Sequence, residues 1–74
     1  MNNLIKKLAE KIESENSKFD YKAGKLEIAN EIWGSYLTVS QRFDVRNSAI
    51  QGDLSGSIKD IRKCVAYIAG FLDA

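Results

Sequence analysis

The sequence predicts an α+β domain of order α-β-β-β-α, with two helices on one face of a three-stranded antiparallel meander. Three observations predict it. Apolar residues near both ends recur at helical spacing, those in the middle alternate with polar ones, and a Gly-Ser pair separates two alternating runs. A chain of 74 residues allows one domain, 1–74, built on one hydrophobic core. It has no proline, repeat or low-complexity linker that would divide it.

The first element is a helix over Asn2–Glu15. Leu4, Ile5, Leu8, Ala9 and Ile12 form one stripe, and Lys6, Lys7, Glu10, Lys11 and Glu13 cover the other side. Asn2 or Asn3 caps its start, and the run Glu15-Asn16-Ser17-Lys18, which has no apolar member, ends it.

The middle of the chain changes period. Leu26, Ile28 and Ile32 alternate with polar residues, with Asn30 as the polar member of the series. Leu37, Val39, Phe43 and Val45 do the same, with Gln41 as the polar member. Gly34-Ser35 between them has the composition of a type II′ hairpin turn. A turn there sets Trp33 opposite Tyr36, Ile32 opposite Leu37 and Leu26 opposite Phe43. It also pairs Glu27 with Arg42 and Lys25 with Asp44, both of opposite charge. A turn at residues 46–49 then starts a short third strand through Ile50 and Leu54, which sets Arg42 against Asp53.

The last element returns to helical spacing. Ile58, Ile61, Val65, Ile68 and Leu72 make its stripe, flanked by Cys64 and Phe71, while Lys59, Asp60, Arg62, Lys63 and Tyr67 fall away from it. Ser57 and Asp60 stand three apart, as in a weakened capping box.

The same residues admit an all-α alternative, a helix-turn-helix. Ser35 caps a helix running to Phe43, Asp44-Val45 forms the turn, and residues 46–54 form the second helix. Arg42-Phe43-Asp44-Val45, followed by Ala49-Ile50 and Asp53-Leu54, resembles the helix-turn-helix of DeoR-type bacterial repressors. Asp44 departs from the glycine usual there, and Ser40 from the alanine. That resemblance implies DNA contact through Arg46, Asn47 and Gln51. The order helix, three strands, helix and the basic segment 56–63 are similar to double-stranded-RNA-binding domains. This second likeness implies that Lys59, Arg62 and Lys63 face phosphates.

Composition narrows the function classes. Eleven basic side chains against ten acidic leave a net charge of +1, unlike a disordered chain or a strongly basic nucleic-acid arm. The lysines of the first helix and Lys18, Lys22 and Lys25 are diluted by glutamates, as on an ordinary solvated surface. No apolar run is long enough for a membrane span, so the expectation is a cytoplasmic protein without membrane contact. The chain has no histidine and one cysteine, which removes the usual zinc and haem ligands and the histidine-dependent catalytic sets. No phosphate-binding glycine loop or acidic metal cluster replaces them. The expectation is therefore no cofactor, no metal and no enzyme activity. Cys64, next to an apolar stripe, reads as a small hydrophobe.

The functional expectation is a non-catalytic module that binds another macromolecule, most of all a protein, as a small inhibitor, adaptor or regulator of bacterial or phage type. Lysine in excess of arginine, with many isoleucines and asparagines, suits an AT-rich genome of that kind. On the meander, Trp33 and Tyr36 stand together on the open sheet face with Thr38 and Glu31, the composition of an interface hot spot. The bland reading of the aromatic pair is a clamp on the hairpin end. The first strand, residues 25–33, is a free edge and offers a route to a homodimer.

Overall fold

A computed structural model describes residues 2–51 and 57–73, and every regular element among them is helical. α1 spans Asn2–Glu15, α2 Lys25–Glu31, α3 Val39–Ile50 and α4 Ser57–Asp73. A π-helical turn, Ile32–Tyr36, extends α2. The α+β class and the meander are thereby overturned, while the all-α alternative is compatible with this architecture.

α1 follows its sequence pattern closely. Ile5, Ala9 and Ile12 are buried on one side, with Leu4 and Leu8 half-buried beside them. Past Glu15 the chain turns, and Phe19 drops into the core, with Lys18 Nζ 5.1 Å from the centre of its ring. Asp20 organises the approach to α2. Its Oδ1 accepts from the backbone N–H of Lys22 at 3.0 Å and of Ala23 at 3.3 Å, and its carbonyl accepts from Gly24 N at 2.7 Å.

The segment expected as the first strand is α2 and the π turn. Ile28 and Ile32 lie four apart, a spacing that fits a helix as well as alternate strand positions, and Ala29 joins them in the core. The second expected strand is the link at Leu37 and Thr38 followed by α3. Here Thr38 is the N-cap: its side chain accepts from Gln41 N at 3.1 Å, and Gln41 Oε1 accepts from Thr38 N at 2.9 Å. This reciprocal capping box satisfies two backbone donors that the start of a helix leaves open.

Helix wins over hairpin for a physical reason that the two amides make visible. The meander placed Asn30 and Gln41 on the core face, where each unsatisfied amide costs about 1–3 kcal/mol. As helices, both leave the core. Asn30 is exposed, its Nδ2 donating to Leu26 O at 3.0 Å, and Gln41 completes the capping box. Gly34-Ser35 lies inside the π turn instead of forming a hairpin turn. The turn drawn at Asp44-Val45 is the continuous middle of α3, and Ile50 ends that helix instead of starting a third strand. The Leu54 end of that strand and the pairing of Arg42 with Asp53 lie outside the described residues.

α4 is the hub. It packs most extensively against α3 and α2, then against α1. Its stripe is rotated from the expected one: Asp60, Cys64, Val65, Ile68, Ala69 and Leu72 are buried, while Ile61 is about half exposed. The side chain of Ile58 lies outside the described ones. Tyr67, expected to fall away, is half-buried and meets Phe71 edge to face, ring centres 4.9 Å apart. Lys25 and Asp73 form an ion pair between the start of α2 and the end of α4.

Candidate functional site

The outer side of α3 carries the feature that folding does not require. Val39 is 73% exposed and Phe43 58% exposed, although they lie four apart and share a helix face. α3 buries Val45 and Ile50 instead, so its apolar residues point in two directions. A groove of about 240 Å³ opens on the outer side, lined by Trp33, Val39, Arg42, Phe43 and Arg46.

Each wall has a local cause. The π turn places Trp33 half-buried at the edge of the core. Such turns break the α-helical register and are frequent at functional sites. Arg42, one turn into α3, reaches back to this element. Its Nη2 donates to Gly34 O at 2.6 Å, and its guanidinium carbon lies 5.8 Å from the centre of the Trp33 ring, within cation–π range. The cation thus serves a carbonyl near the end of α2 and its π extension, where orphan acceptors and the negative end of the helix dipole collect. Among the described residues, Arg42 Nε is buried without a hydrogen-bond partner.

Arg46 forms the far wall. Its Nη2 donates to Asp60 Oδ2 at 3.2 Å, which ties α3 to the first turn of α4. Asp60 is buried, and its Oδ1 has no partner among the described residues. Cys64 lies fully buried one turn along α4. Burial pushes its thiol pKa up, Asp60 adds to the rise, and Arg46 works against it. A thiol held neutral and out of solvent is a packing residue. Among the described residues, no cluster of three or more histidine, cysteine or acidic side chains could hold a metal ion.

The residues proposed for the open sheet face are redistributed, since there is no sheet among the described residues. Trp33 lines the groove. Tyr36 is half-buried against the core at the end of the π turn, Thr38 is the α3 cap, and Glu31 is half-exposed at the end of α2. An edge-strand dimer through residues 25–33 has no basis, because those residues are helical and bond within their own turns. Of the residues offered for nucleic acid, Arg46 lines the groove and Asn47 and Gln51 are exposed near the end of α3. Arg62 and Lys63 are exposed on α4, and the side chain of Lys59 lies outside the described ones.

Val39, Arg42 and Phe43 were missed as site residues because two of them completed a strand face. The signal that finds them is the capping box Thr38-Val39-Ser40-Gln41, which starts a helix at Val39 and sets Val39 and Phe43 away from Val45. Comparisons with known protein families, with curated proteins and with solved structures return no match. No helix among the described residues is long and apolar enough to cross a membrane.

Proposed function

We propose that this chain is a non-catalytic module that binds a protein partner through the groove on α3. The observation that carries it is the exposure of Phe43 and Val39 beside Trp33 and two arginines. Aromatic side chains and arginine are the types that dominate interface energies, and an apolar centre with a polar rim is their usual arrangement. The groove is smaller than the roughly 300–1,000 Å³ of small-molecule pockets and suits one large side chain of a partner. Its described lining residues include no histidine, carboxylate or thiol for acid–base or nucleophilic work. A cytoplasmic setting is part of this proposal, since a reducing compartment keeps the free, buried Cys64 as a thiol.

The test is capture of a partner by the immobilised chain, followed by rebinding of that partner in purified form. Phe43→Ala should weaken rebinding by about tenfold or more, the range of an aromatic hot spot. Unchanged affinity for both Phe43→Ala and Val39→Ser would remove the groove from the interface.

A further inference from the structure

The charge around the groove points to the kind of segment that fills it. The apolar floor comes from Trp33, Val39 and Phe43, and among the described lining residues the charged ones are the two arginines. Arg46 shares its charge with Asp60. Among the described residues Arg42 meets a carbonyl and an aromatic face, neither of which neutralises it, and its buried Nε has no acceptor there. The site therefore presents, beside an apolar slot, a cation that no described carboxylate pairs with.

A second copy of this chain is a poor occupant. In a two-fold interface the same patch meets itself, which brings Arg42 and Arg46 toward their own copies. Like charges set together at an interface are strongly unfavourable. A segment with carboxylates flanking an apolar anchor has the opposite sign and the matching shape.

We propose that the groove binds an acidic peptide segment of its partner, one that places a large apolar side chain between Phe43 and Trp33 and a carboxylate on Arg42. This deepens the protein-binding reading of the same groove and rests on it. Anchoring would come from the apolar side chain, and the Arg42 contact would select acidic over neutral or basic neighbours.

The experiment is a selection of short random peptides displayed on phage against the 74-residue chain, with counter-selection against its Phe43→Asp variant. Retained peptides should pair an aromatic or large aliphatic residue with adjacent aspartate or glutamate. The best of them, made synthetically, should shift the amide signals of Val39 and Phe43 and the Trp33 indole signal in nuclear magnetic resonance spectra. Changing its acidic residues to the corresponding amides should weaken it about tenfold. On Arg42→Gln that penalty should shrink towards none, a readout that loss of a merely structural arginine would not give.

Retained peptides with an apolar anchor but no acidic excess would overturn the acidic preference and leave the docking groove standing. Failure to enrich any peptide that shifts the groove signals would overturn both. Concentration-dependent shifts of the same signals, with a dimer mass by light scattering, would replace the peptide with a second copy. Competition by duplex DNA at Arg42 would replace it with nucleic acid.

Discussion

The two sides of α3 treat the same class of residue in opposite ways. Val45 is fully buried in the core beneath the helix, while Phe43, two positions earlier and larger, stands mostly in water. The difference lies in what stands opposite. α4 packs along one side, and the other side borders an open groove whose described lining beyond α3 is Trp33. Burial of Val45 is part of what holds a small fold together, whereas exposure of Phe43 adds nothing to it. Stability and binding should accordingly separate on the two sides of one helix.

The largest expected effect breaks the inner side. Val45→Asp places an unpaired charge in the core, which costs about as much as the ~3–5 kcal/mol that a core of this size supplies. The chain should lose its helical circular dichroism, while Phe43→Asp retains it. Equal loss from both substitutions would erase the distinction between the two sides.

A smaller effect is expected at the link between groove and hub. Asp60→Ala removes the acceptor of Arg46 and should cost about 1–3 kcal/mol, read as a lower urea midpoint. Arg46 is part-exposed and recovers hydration, which keeps the loss below that of Val45→Asp.

Cys64 in the same region gives a pH signature. Its thiol pKa is raised in the folded chain, so the unfolded chain ionises first, near ~8.5. The stability this difference contributes is intact below that value and is lost as pH rises through the folded one. Urea midpoints should fall at alkaline pH, and Cys64→Ala should remove that part of the fall.

Thr38→Ala tests the boundary between the two regions. It removes one half of the capping box and should cost about 0.5–2 kcal/mol, with amide exchange rising first in the opening turn of α3. The smallest effect belongs to the outer side: Phe43→Ser should change stability by no more than about 0.5 kcal/mol in the same urea titration. A cost of 2 kcal/mol or more, on the order of a core truncation, would show that Phe43 belongs to the core.

The opposite charges that favour a hairpin on paper show why the middle of the chain reads as strands. Glu27 with Arg42 and Lys25 with Asp44 pair well on paper. In the folded chain Lys25 meets Asp73, and Arg42 meets Gly34 O and Trp33. Exposed ion pairs contribute only about 0–1 kcal/mol, too little to choose a secondary structure, and a chain rich in both signs offers many of them. The capping box at Thr38 was the more discriminating local signal, because its two bonds require a helix start. Of the groove, the sequence offers Trp33 as a partner-binding residue and Arg46 as a nucleic-acid contact. Val39 and Phe43 are hidden in the alternation, and Arg42 in its paper pairing with Glu27.

The sequence by itself determined α1 with its ends, the helical nature of α4, and the lack of histidine chemistry. In these elements the apolar spacing fits only the helical period, and polar runs or turn residues mark the limits. It left the middle open because Ile28 with Ile32 satisfies both periods, and because Leu37, Val39, Phe43 and Val45 imitate one strand face. Only packing decided between them. With α4 against one side of α3, Val45 and Ile50 became core and Val39 and Phe43 were turned outward. Local spacing sets which faces a segment has, but burial is assigned by whatever element arrives to cover one of them.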